Sequence, residues 1–146
     1  MTRARIVDGW WRSGDLGYIS EGGHTDGQLY IVDRMTDMII CGGYNIYPRE
    51  VEDYMHQHPK ISQAVIIGIP DAVKGDVPKA FVVLKPGEEI APEEVIKYCK
   101  ENMAAYKVPR FVELVTLDDL PKTASGKILK RELREMERRK QVQAPQ

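Results

Sequence analysis

Ile61-Ser62-Gln63-Ala64-Val65-Ile66-Ile67-Gly68-Ile69 reads as an apolar, β-prone strand. A polar segment from Pro70 to Val77, centred on Gly75, reads as a loop, and Ala80 to Leu84 as a second strand. The two runs are close enough in sequence to pair as antiparallel neighbours. Phe111 to Leu117 supplies a third core strand. Upstream, Pro48 suits the first turn of a helix, and Val51, Tyr54, Met55 and His58 follow at helical spacing until Pro59. Pro92 opens a second helix with Glu93 and Glu94 in its first turn, where the helix dipole favours acids, and Val95, Ile96, Cys99 and Met103 give it an apolar side. Ile128, Leu129, Leu133 and Met136 mark a last helix with a basic opposite face. At the front, Asp15 to Ser20 and Gln28 to Asp33 read as a hairpin. A short strand, Asp37–Cys41, is broken by Gly42-Gly43, with Tyr44 to Ile46 returning beside it. The expected fold is α+β: a small three-stranded antiparallel sheet with packed helices, preceded by a β-hairpin.

The chain of 146 residues is long enough for one domain with a core. Its net charge of -1 gives no global pull towards nucleic acid or a membrane. No run approaches the roughly 20 apolar residues of a transmembrane segment, and the basic start, Met1 to Arg5, has no apolar run after it to make a secretion signal. Cys41 and Cys99 stand alone and read as reduced thiols. His56 and His58 lie two apart on the expected helix and point in different directions, and with His24 they form no ligand set, so no bound metal is expected. On the last helix Glu132, Glu135 and Glu137 interleave with the cations, which argues for a solvated helix with internal pairs rather than a nucleic-acid surface.

Three polar stretches carry chemistry. The first is Arg12-Ser13-Gly14-Asp15, where a carboxylate on a tight turn can take two hydroxyls of a ribose or simply close an Asx turn. The second is Gly42-Gly43-Tyr44-Asn45-Ile46-Tyr47-Pro48-Arg49-Glu50-Val51-Glu52; its glycine pair permits either close approach to the backbone or a hairpin turn with positive φ. The third is Pro121-Lys122-Thr123-Ala124-Ser125-Gly126-Lys127. Lys127 stands at the expected entry of the last helix, a poor place for a cation unless an anion binds there, so it argues for an anionic partner. Arg34 can bond ribose or phosphate oxygens, or pair with a nearby acid.

These stretches, in this order and spacing, resemble the C-terminal motifs of the adenylate-forming acyl-CoA synthetase family, from about Gly9 to about Arg134. Their wording, with Lys107-Val108-Pro109-Arg110, is most similar to prokaryotic long-chain fatty-acid–CoA ligases. The resemblance implies ATP-dependent joining of a carboxylic acid to coenzyme A through an acyl-AMP, with pyrophosphate released first and AMP second. It implies that Lys127 is catalytic, that Asp15, Arg34, Ile31 and Asn45 contact ATP or AMP, that Arg34, Thr36 and Asp37 form a hinge, and that Gly42, Gly43, Lys74 and Arg110 flank coenzyme A. Two departures stand out. The hinge position is Thr36, commonly Asp or Lys in the family, and Ile40-Cys41 replaces a lysine that some relatives carry before the glycine pair.

The resemblance also divides the chain. Residues 1–33 correspond to the trailing strip of a large N-terminal adenylation domain, 34–37 to the hinge, 38–140 to the mobile C-terminal domain and 141–146 to a disordered tail. The phosphate loop and acyl pocket of the large domain are not found in this sequence, so the chain is expected to need that domain as its partner and to be inactive alone. Mg2+ is expected to be held mainly by the missing domain. The expected compartment is the cytoplasm, with a membrane-peripheral full-length enzyme as the variant. The competing readings are an aryl-CoA ligase, a stand-alone aminoacyl-adenylating enzyme, and a non-catalytic binding module that keeps the fold.

Overall fold

The computed structural model describes residues 5–143. The elements run β1 (Ile6–Val7), β2 (Trp10–Trp11), β3 (Asp15–Ile19), β4 (Leu29–Arg34), β5 (Ile39–Cys41), β6 (Tyr44–Ile46), α1 (Pro48–Met55), β7 (Ile61–Asp71), β8 (Gly75–Leu84), α2 (Pro92–Asn102), β9 (Phe111–Leu114) and α3 (Lys130–Gln143). The α+β class is as expected: three helices pack on a small sheet. No helix is long and apolar enough to cross a membrane.

The three-stranded antiparallel sheet expected from the sequence is the middle of a larger, mixed one. Strand β8 pairs antiparallel with β7 along its length; on its other side it takes β5 at Cys41–Gly75 and β9 from Lys79 to Val82. The β9 pairing is parallel, because α2 carries the chain back across the sheet before β9 begins. The expected loop at Pro70–Val77 is mostly strand. Pro70 faces Asp76 and Asp71 faces Gly75, leaving a tight turn of Ala72, Val73 and Lys74. Polar composition misled here: the turn needs only three residues, and the Asp71 carboxylate closes it by accepting the Val73 and Lys74 N–H groups.

Burial follows the apolar pattern. Ile66 and Ile67 of β7 and Phe81 and Val82 of β8 are inaccessible or nearly so, as are Val51 and Met55 of α1 and Val95 and Cys99 of α2. Each fully buried side chain of this size stabilises by about 1.5–3 kcal/mol. Helix α1 ends at Met55, earlier than Pro59, so His56 and His58 are not two positions on one helix. Both imidazoles instead accept backbone hydrogen bonds, His56 from Ala64 N and His58 from Lys60 N. That keeps them in local structural work.

At the front stand two hairpins rather than one. Strands β1 and β2 pair with Trp10 and Trp11 exposed, and β3 pairs with β4. At the other end α3 runs to Gln143, so residues 141–143 of the tail expected to be disordered are helical, and residues 144–146 lie outside the described residues.

Candidate functional site

Asp15 and Arg34 are direct cross-strand partners on β3 and β4, so their side chains leave the same face of the hairpin. The Asp15 N–H is fixed by Ser13 Oγ at 3.1 Å, and Met35 N–H bonds Gly14 O at 2.8 Å. Arg34, Thr36 and Asp37 then form a turn in which Asp37 N–H and Met38 N–H both reach Arg34 O. The lysine loop borders the same cleft as Asp15 and Arg34. Lys122 and Ile128 bridge across its base, Thr123 and Lys127 exchange backbone and side-chain bonds, and Gly126 turns at positive φ. Helix α3 starts at Lys130, so Lys127 sits on this closed loop and not at the helix entry itself. Its side chain is exposed.

Asp15, Arg34, Thr36, Asp37 and Lys127 all line one cleft of about 870 Å³. The sequence-expected ribose carboxylate, arginine, hinge and lysine therefore converge, although more than 110 positions separate Asp15 from Lys127 in the chain. The cleft is rich in cations, but most are neutralised. Arg134 is 3.1 Å from Asp37, Lys130 is 2.7 Å from Glu52, and Arg49 is 4.0 Å from Asp53. Among the described residues neither Arg34 nor Lys127 has such an ion-pair partner. What remains is the Asp15 carboxylate beside Arg34, with Arg5 and Lys127, which have no ion-pair partner among the described residues, bordering the same cleft: an arrangement that can take a hydroxyl-bearing polyanion.

Two expected nucleotide contacts are not among the residues lining this cleft. Asn45 is exposed opposite Ile40, and Ile31 is half exposed opposite Gly17. The residues expected near coenzyme A lie elsewhere. Lys74 and Arg110 border a second cavity of about 370 Å³, together with Lys100 and Cys41. Arg110 is committed to Asp71 at 2.6 Å, and Asp71 is held below the usual aspartate range, first by its two backbone N–H bonds and then by Arg110. Gly42 and Gly43 form the two-residue turn between β5 and β6, both at positive φ, and Gly42 N–H bonds Lys74 O at 2.8 Å. The hairpin-turn reading therefore accounts for both glycines, and open space beyond them still leaves room for a ligand. Tyr44 stacks on Tyr106 at 4.6 Å, which joins this turn to the Lys107–Arg110 segment.

Four residues that hold the main cleft were not singled out from the sequence. Asp33 is buried, and its two carboxylate oxygens accept from Arg34 N and Arg49 N. Glu52, Lys130 and Arg134 make the cross-element pairs above. The expectation of internal pairs on the last helix accounts for Arg131–Glu135 and Lys140–Glu137, but Lys130, Arg134 and Lys140 also reach other elements. Alternating signs on a helix are the same whether partners lie on that helix or across from it, so sequence could not separate the two. Among the described residues no group of three or more His, Cys, Asp or Glu could hold a metal ion. Cys41 and Cys99 are free, buried thiols.

Comparison with known proteins bears on the fold and the family. The model of the AMP-binding enzyme C-terminal domain matches residues 50–127. A long-chain-fatty-acid–CoA ligase of Bacillus subtilis is 48% identical over 136 residues, covering 93% of this chain and 23% of that protein. Among solved structures, ATP-bound MatB from Rhodopseudomonas palustris superposes with a TM-score of 0.82 at 34% identity, covering 92% of this chain and 26% of that one. The o-succinylbenzoate CoA synthetase of Bacillus subtilis, in complex with its acyl-adenylate intermediate, gives 0.78 at 40% identity, covering 90% and 25%. The chain thus spans about a quarter of the length of these relatives, and it belongs to the AMP-binding enzyme C-terminal domain family.

Proposed function

We propose that this chain is the C-terminal part of an ATP-dependent acid–thiol ligase that works in the cytoplasm and activates a long-chain fatty acid. A carboxylate would attack the α-phosphorus of ATP, releasing pyrophosphate and leaving acyl-AMP; the thiol of coenzyme A would then displace AMP. The observation that carries the reading is the convergence of Asp15, Arg34 and Lys127 on one cleft in which most of the other cations are already paired. Asp15 would accept from the ribose hydroxyls, and Arg34 would bond ribose or phosphate oxygens. Lys127 would meet the negative charge that grows on the α-phosphate oxygens during attack, so its stabilisation would be greater in the transition state than in the ground state. Mg2+ would travel with the ATP phosphates and be held by the N-terminal domain, since the described residues offer no metal cluster.

The long-chain substrate rests on the similarity to the Bacillus subtilis fatty-acid ligase. A second reading, an aryl acid of the succinylbenzoate type, is favoured by the 40% identity to the synthetase of that name. The test is ATP–pyrophosphate exchange by the full-length parent protein, with straight-chain fatty acids and with 2-succinylbenzoate. Exchange dependent on fatty acid is expected, and the isolated 146-residue chain should form no acyl-CoA. Exchange with neither acid, or turnover by the isolated chain, would overturn the reading.

A further inference from the structure

We propose that Glu52 is a positioning residue for Lys127, acting through Lys130. The inference rests on the catalytic reading of Lys127 given above. Lys127 makes no side-chain hydrogen bond among the described residues, so its placement depends on what anchors its loop. One anchor is internal: the Lys122–Ile128 bridge and the bonds of Thr123. The other is the first turn of α3, three residues downstream.

Glu52 holds that turn. Its Oε1 accepts from Lys130 Nζ at 2.7 Å and from Ile66 N–H at 2.7 Å. Strand β7 is the edge of the sheet, and Ile66 N–H points outward from it. One carboxylate oxygen therefore pins the root of the lysine loop to the strand that pairs with β8 along its whole length, and satisfies an edge N–H as well. The side chains of Glu52 and Lys130 are only 14% and 18% exposed, so the pair is shielded from solvent and a broken partner is costly. Lys130 also lines the cleft, but its ammonium is taken by Glu52, whereas that of Lys127 is open. One turn further along α3, Arg134 meets Asp37, so the same helix root is also tied to the Arg34–Asp37 turn.

The test uses Glu52→Gln, Lys130→Gln and Lys130→Arg. The glutamine at 52 keeps an acceptor for Ile66 N–H while losing the charge, which protects the fold. Backbone 15N relaxation of the 146-residue chain reports Gly126 and Lys127 directly. Their order parameters should fall from the rigid range, about 0.85, to below about 0.6 in both glutamine variants, with Lys130→Arg restoring them. In the full-length parent, both glutamine variants should lose roughly 10- to 100-fold in kcat for adenylation. KM for ATP and thioester formation from supplied acyl-AMP should be unchanged. The double variant should be no worse than either single one. An unaltered loop overturns the proposal whatever the kinetics. So does a loosened loop with unaltered adenylation, a raised KM for ATP, which would make Lys130 a direct phosphate contact, or equal loss in both half-reactions. If the loop loosens but the wild-type parent shows no exchange, the link from Glu52 to the loop stands and the ligase reading fails.

Discussion

Asp33 Oδ2 accepts the backbone N–H of Arg49 at 2.9 Å, while its Oδ1 takes that of Arg34 at 2.7 Å. A single buried carboxylate thus joins the end of β4 to the first turn of α1, where Pro48 provides no N–H and Tyr47 provides no side-chain cap. It also fits the helix N-terminus electrostatically. The wall of the cleft that carries Arg34 is fastened to the C-terminal core through this residue.

Asp33→Ala should therefore destabilise the chain by about 1–3 kcal/mol, because two N–H groups lose their acceptor in a poorly hydrated place. Asp33→Asn, which keeps one acceptor oxygen, should cost less. Urea denaturation of the two variants checks the order; equal midpoints for Ala and wild type would show that the bonds carry no weight.

Lys127→Ala should leave the melting temperature of the chain unchanged, since the side chain is exposed and unpaired. In the full-length parent the same change should reduce adenylation by at least about 10²-fold, the usual loss when one preorganised electrostatic group is removed. Thioester formation from supplied acyl-AMP should be largely spared. Measuring both half-reactions on one preparation separates this outcome from general damage.

Gly43→Ala should cost roughly 1 kcal/mol even though a Cβ there meets nothing within 4 Å. The penalty comes from φ of +85, which alanine adopts poorly, and not from a clash. Thermal denaturation reads it. A bulkier residue such as leucine would pay the same backbone cost and also fill the space beyond the turn. Loss of thioester formation in Gly43→Leu therefore counts towards a coenzyme A channel only in excess of the loss in Gly43→Ala.

Cys99 should resist alkylation in the native chain at pH 8. Burial pushes its thiol up from 9.0 to about 11, so almost no thiolate is present. The sign follows for stability. The folded state holds this proton more tightly than the unfolded state, so the contribution is complete below about pH 9 and is lost as pH rises towards 11. Iodoacetamide labelling with and without denaturant, and a denaturation series from pH 8 to 11 compared with Cys99→Ala, check both statements.

Much of the site was legible because its chemistry lies in local sequence. Asp15 on its glycine turn, Gly42-Gly43 between two short strands, and Lys127 on a Ser-Gly turn each have a conformation set by neighbouring residues, and the structure keeps all three on turns or at their edges. Asn45 and Ile31 were less legible. Their outward or inward direction depends on strand register and twist, which nearby residues do not fix.

By itself, the sequence determined the α+β class, the three helices and the β7–β8 pair, because apolar periodicity and proline and glycine punctuation act over a few residues. It also determined the family, through motifs whose order is linear. The tertiary structure alone decided the parallel placement of β9, the commitment of Arg110 to Asp71, and the partners of Arg134 and Lys130. It also decided which cations of the cleft remain unpaired. Those outcomes depend on which surfaces meet once the sheet has formed, and an ion pair between residues 97 positions apart, such as Asp37 and Arg134, leaves no local trace in either segment.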